Sequence, residues 1–134
     1  MNEFNQSIID EFRSNDGVVG GPFEGASLLL LGTIGAKSGL PRTNPLAYLR
    51  EGDRLIVIAS YAGAPVNPPW YYNLLANPEV SVEVGTEKFT AIASVVDEPD
   101  RSALYARMAQ KMPAFQEYEA KTSRVIPVVA LTRT

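Results

Sequence analysis

Neither cysteine nor histidine occurs among the 134 residues. Without cysteine there can be no disulfide, thiolate nucleophile or zinc–thiolate centre. Without histidine, the commonest general base and the commonest transition-metal ligand are both missing. Serine–histidine and histidine–zinc hydrolysis are thereby excluded, and no metal site is expected. An enzyme built from what remains would rely on a bound organic cofactor, with the protein positioning it. Long apolar runs are lacking too: Leu28–Leu31 and Leu55–Ala59 fall far short of the roughly 20 residues a membrane span needs. The opening Met-Asn-Glu-Phe-Asn-Gln lacks the basic region and apolar stretch of a secretory signal, so a cytoplasmic location is expected.

Acidic residues are absent from one long stretch. The net charge is −3, which argues against a general nucleic-acid binder. Yet between Gly25 and Leu49 there is no Asp or Glu, while Lys37 and Arg42 flank the turn in "GTIGAKSGLPRTNPLAYL". A tight turn containing Gly39 can present backbone N–H groups as a concave anion site. Lys37 adds a point charge, Ser38 a hydroxyl, and Arg42 a planar fork suited to two phosphate oxygens. On spacing alone, an ordinary hairpin turn with solvated cations stays open as the other reading.

The length suits one domain. Residues 1–24 read as an N-terminal helix and loop, and residues 25–134 as the main body. In Glu3–Asn15, Phe4, Ile8, Ile9 and Phe12 recur at helical spacing. The acidic polar face of that helix favours packing on the domain, with peripheral membrane contact left open. From Ser27 the pattern turns to strands: "SLLLLGTI", "RTNPLAYLR" and "RLIVIAS". Pro45 asks for a sheet edge or bulge in the second of these. "WYYNLLANP" reads as a helix with Pro69 in its first turn and a stop at Asn77-Pro78. "EVSVEVG" and "KFTAIASVV" form a hairpin. Arg101–Lys111 and "AFQEYEAK" are helical pieces separated at Pro113, and "RVIPVVALT" closes the chain as a strand. About six mostly antiparallel strands with three or four flanking helices make an α+β domain, best accommodated as a small barrel. No dinucleotide fingerprint or strand–helix alternation supports a Rossmann sheet.

Two further clusters stand out. In "NPPWYYNLLANP", Trp70 and its tyrosine neighbours could wall a flat ring while Asn67 or Asn73 hydrogen-bonds its heteroatoms. Trp70 and Leu74 as plain core is the alternative. In "IASYAGAP", a buried strand ends at Ser60 in a small-residue loop of the kind that lets backbone approach a ligand.

These clusters, in this order, resemble the deazaflavin-dependent nitroreductase family, whose members are split-barrel proteins binding coenzyme F-420, an 8-hydroxy-5-deazaflavin. The matching elements are "TIGAKSGLPRTNPLAYL", "REGDRLIVIAS", "NPPWYYNLLANPEVSVEVG" and "RVIPVVAL". The resemblance implies a split β-barrel and a phosphodiester held by Lys37 and Arg42, with amides around Ser38 and Gly39. It implies that Asn44, Ser60 and Asn73 address the polar edges of the deazaflavin, with Tyr61, Pro68 and Trp70 beside the ring. It also implies hydride transfer from the reduced coenzyme to a quinone or nitroaromatic acceptor. A proton would come from a tyrosine, with Tyr118 the candidate, from Ser60 or from water.

The chain departs from the nitroimidazole-reducing members, which carry several tyrosines over the acceptor pocket. Here those positions read Met112, Phe115 and Tyr118, and Ala47 replaces another tyrosine. A wider, more apolar pocket follows, favouring planar apolar acceptors such as quinones and disfavouring nitroimidazoles. An FMN-binding split-barrel oxidoreductase and a non-enzymatic F-420 carrier remain as alternatives. Monomer and homodimer both stay open.

Overall fold

Three strands of this chain are apolar on both faces, and that sets the architecture. The computed structural model describes residues 3–20 and 27–134, with side chains of the first helix from Gln6 onward. The side chain of Phe4 and residues 21–26 of the following loop lie outside the described residues. The element order is α1 (Glu3–Ser14), β1 (Leu28–Ile34), β2 (Pro41–Ala47), β3 (Leu49–Glu51), β4 (Arg54–Ile58), α2 (Pro69–Ala76), β5 (Glu79–Val84), β6 (Glu87–Val95), α3 (Asp100–Lys111), α4 (Ala114–Lys121) and β7 (Val128–Arg133).

The strands form one sheet in the order β2-β1-β5-β6-β7-β4-β3, antiparallel at every junction. Its two outermost strands, β2 and β3, are consecutive in sequence with only Tyr48 between them. The sheet must therefore curl until its edges meet at that residue, which is a split barrel. There are seven strands rather than the expected six, because "RTNPLAYLRE" divides at Tyr48 to pair with β1 on one side and β4 on the other. A bend of this kind leaves no mark in residue type. Pro45 does lie on an edge strand, where its missing N–H costs no ladder bond.

Inside the curl, Leu29 and Leu31 of β1 meet Leu55 and Val57 of β4, Val80 and Val82 of β5, Ala91 and Ala93 of β6, and Val129 and Leu131 of β7. Trp70 and Leu74 of α2 join the same core and plug one end. On the outer face, Ile56, Ile58, Val128 and Ala130 pack against Leu104, Tyr105 and Met108 of α3 and Phe115 of α4. The outward-facing Leu28 and Leu30 of β1 are covered by Ile8, Ile9 and Phe12 of α1. β1, β4 and β7 are thus covered on both faces, which explains their unbroken apolar runs. The apolar face of α1 is spent on the barrel, and no helix among the described residues is long and apolar enough to cross a membrane.

Candidate active site

Where α2 enters the barrel end, a groove opens between the β1–β2 turn, the face of β2, the loop after β4 and the start of α4. Its volume is about 1230 Å³, above the roughly 300–1,000 Å³ usual for one small ligand. A cofactor and a second small molecule could share it. Its wall includes Lys37, Ser38, Arg42, Asn44, Ala47, Ser60, Tyr61, Pro68, Trp70, Asn73, Met112, Phe115 and Tyr118, so the clusters separated in sequence converge on one cavity. Gly39 is the one candidate outside that wall. Its φ of +71° turns the chain behind the site, a conformation natural to glycine.

Lys37 and Arg42 are the cations in the groove wall, and among the described residues no Asp or Glu lines it. The turn is wound tightly by Gly39 N donating to Gly35 O at 2.9 Å and Gly35 N donating to Leu40 O at 2.8 Å. The Ser38 hydroxyl accepts from Leu40 N at 3.2 Å. Among the described residues the Lys37 and Ser38 N–H groups have no protein acceptor. The Arg42 guanidinium meets only the Pro41 carbonyl, at 3.4 Å. Two cations and two backbone donors on this wall are donor types that suit an anion.

Helix α2 fixes this turn in space. Asn73, 8% exposed, accepts from Ala36 N through Oδ1 at 2.9 Å and donates from Nδ2 to Thr33 Oγ1 at 3.1 Å. Its amide retains one N–H and one lone pair for a ligand. Trp70, 4% exposed, is at once a core residue and part of the groove wall. The two readings of it in the sequence are therefore compatible.

The loop after β4 forms the facing rim. Ser60 is buried at its start, followed by Tyr61, Ala62 and Gly63 with φ of +49°, +53° and +81°. Left-handed backbone at two successive non-glycine residues is strained and needs support. That support is Arg124, which donates to the carbonyls of Ala64 at 2.9 Å, Ala59 at 3.2 Å and Ser60 at 2.9 Å, and to Asn67 Oδ1 at 2.6 Å. Gly63 allows α4 to approach: a Cβ there would lie 3.0 Å from Tyr118 O and Lys121 Cβ.

Apolar side chains make the remaining wall. Ala47, Ile58, Met112, Phe115 and Tyr118, which pack in one cluster, line this part of the cavity. Phe115 stacks edge-on with Tyr118 at 5.4 Å and Tyr105 at 6.4 Å between ring centroids. The Tyr105 hydroxyl donates to Phe115 O at 2.6 Å, pinning α4 to α3. Burial, assisted by Glu119 and opposed by Arg101 and Arg124, pushes this phenol up to about 12. Tyr105 is thus a structural donor near neutral pH.

Arg124 and Thr33 were not singled out by the sequence. The signal for Thr33 was a polar residue inside an otherwise buried strand end. For Arg124 it was a lone cation placed just before the buried "VIPVVAL" strand.

A family model described as F-420H(2)-dependent quinone reductase matches residues 6–133. The chain is 42% identical over 128 residues to the F-420H(2)-dependent quinone reductase Rv1261c of Mycobacterium tuberculosis, covering 91% of this chain and 85% of that protein. A solved structure of an F-420-H2-dependent reductase (FDR-A) superposes with a TM-score of 0.72 at 35% identity, covering 78% of this chain and 93% of that one. A second, described as a domain-swapped dimer, gives a TM-score of 0.73 at 34% identity, covering 94% and 92%.

Proposed function

Because the chain belongs to the F-420H(2)-dependent quinone reductase family, we propose that the groove holds coenzyme F-420 beside a quinone or similar planar apolar acceptor. The observation that carries this reading is the joining of an acid-free, two-cation turn and an apolar-aromatic cavity in one groove. The donor set fits the coenzyme. Lys37, Arg42 and the Lys37 and Ser38 amides suit its phosphodiester, and Trp70 and Pro68 offer flat apolar contact to a ring. When bound in its reduced form, the coenzyme supplies a hydride.

The chain's own residues orient and enclose. Asn44, Ser60 and Asn73 offer hydrogen bonds to polar ring edges, and Tyr61 flanks the entrance. Ala47, Met112 and Phe115 exclude water from the acceptor side, which strengthens every polar contact left inside. A proton for the acceptor comes from the hydroxyl of Tyr118 or Ser60, or from water. With no tyrosine at positions 47, 112 or 115, the cavity favours quinones and leaves nitroimidazole reduction weak. The domain-swapped dimer among the solved relatives supports self-association.

Anaerobic stopped-flow mixing of protein, reduced coenzyme and menadione tests the reading. Oxidation well above the uncatalysed rate is expected. Binding without acceleration would leave a carrier instead of a reductase.

A further inference from the structure

Arg124 does not line the groove, yet it holds one whole side of it. Four hydrogen bonds leave its guanidinium, three to main-chain carbonyls of the rim and one to a side chain of the groove wall. It has no carboxylate partner among the described residues. A half-buried arginine without an acid usually serves the shape of what it binds, because its planar fork fixes several acceptors at once.

Two consequences follow for the rim. The carbonyls of Ala59, Ser60 and Ala64 are drawn onto one cation, which holds the left-handed run of Tyr61, Ala62 and Gly63 between them. Each of these oxygens has a lone pair engaged by the cation, so the rim opposes an anionic ligand less. Second, guanidinium can only donate, so the atom of Asn67 facing it at 2.6 Å must be the amide oxygen. The Asn67 NH2 group is thereby turned the other way. One of its hydrogens has the hydroxyl of Tyr72 at 3.4 Å, and Asn67 and Tyr72 both line the groove.

We propose that Arg124 is a positioning residue: it holds the 59–67 rim in its ligand-ready shape and orients Asn67 as a donor to a carbonyl or anionic oxygen on the edge of the bound ring. The proposal rests on the reading that the groove holds the deazaflavin coenzyme.

Two variants test it. Arg124→Lys keeps the charge and removes the fork. Asn67→Asp keeps an acceptor for Arg124, now as an ion pair, and removes the donor group. In coenzyme-free protein, hydrogen exchange read by mass spectrometry should quicken at least tenfold across residues 59–67 in Arg124→Lys, with the β4 and β7 core amides unchanged. Asn67→Asp should keep the wild-type thermal midpoint or exceed it, with the Kd for F-420 raised at least tenfold at low salt and also at high salt, where repulsion by the new charge is screened. Wild-type exchange in Arg124→Lys, or wild-type affinity in Asn67→Asp, would overturn the proposal. The exchange measurement needs no coenzyme. Failure of the wild-type protein to bind F-420 would therefore overturn the coenzyme reading, and with it the donor role of Asn67, while exchange still decides whether Arg124 holds the rim.

Discussion

Asn73 and Thr33 are joined across the barrel end by a 3.1 Å hydrogen bond from Nδ2 to Oγ1, and the other end of the same amide accepts the Ala36 N–H. One side chain of α2 therefore sets where the cationic turn begins. Thr33 is 3% exposed, so losing this partner strands a buried hydroxyl, at a cost of about 1–3 kcal/mol. Asn73→Ala should lower the thermal midpoint and weaken F-420 binding together, because the turn loses its anchor. Calorimetry and coenzyme titration on the same preparation check this. A lowered midpoint with untouched affinity would separate the turn from phosphate binding.

Arg42 has only a long contact to Pro41 O within the protein, so its truncation should disturb the fold little. Arg42→Ala is expected to cost coenzyme binding about 1.5–3 kcal/mol, the worth of a charge-assisted hydrogen bond. The same variant should show a shallower dependence of affinity on ionic strength, since one screened attraction is gone. Fluorescence titration at two salt concentrations reads both effects.

Tyr105 predicts an alkaline limit to stability. Its folded phenol, pushed up to about 12, lies above the unfolded value of about 10. The folded state therefore holds the proton more tightly. The stabilisation it brings is fully present below about pH 10 and is lost as pH rises through about 12. Tyr105→Phe should unfold more easily at neutral pH, by about 1 kcal/mol for the lost bond to Phe115 O. It should also show a smaller fall in midpoint between pH 10 and 12 than the parent. Equal falls in both proteins would mean another group governs alkaline unfolding.

Met112 and Phe115 line the same groove as the cationic turn, and on the proposed reading they meet the acceptor. Replacing both by tyrosine should narrow the cavity and add hydroxyls. The ratio of kcat/KM for menadione to that for a nitroimidazole should fall, with coenzyme Kd changed less than threefold. A large loss of coenzyme affinity would place these residues against the coenzyme instead.

Much of this site could be read from the chain because its chemistry is local in sequence. Lys37 through Arg42 form one turn, and Pro68 through Asn73 one helix start, so their residue types carry their own meaning. What the sequence concealed depends on distance. Asn73 reaches partners 37 and 40 residues away, and Arg124 reaches back 57 to 65 residues to the rim. No periodicity or spacing encodes such pairings. The division of β2 from β3 at Tyr48 was hidden for the same reason: the break follows from closing the barrel, and Tyr48 is itself a good strand former. Trp70 shows a third kind of difficulty. Its residue type suits core and groove wall alike, and at the barrel end one side chain is part of both.

On the proposed reading, an acid-free cationic turn selects the phosphodiester of a deazaflavin coenzyme while the adjoining cavity accepts its ring. Side-by-side calorimetric titration of the purified protein with oxidised F-420 and with FMN tests it most directly. Micromolar or tighter binding of F-420, with FMN at least tenfold weaker, is the predicted result. Tight uptake of FMN with no heat from F-420 would contradict it.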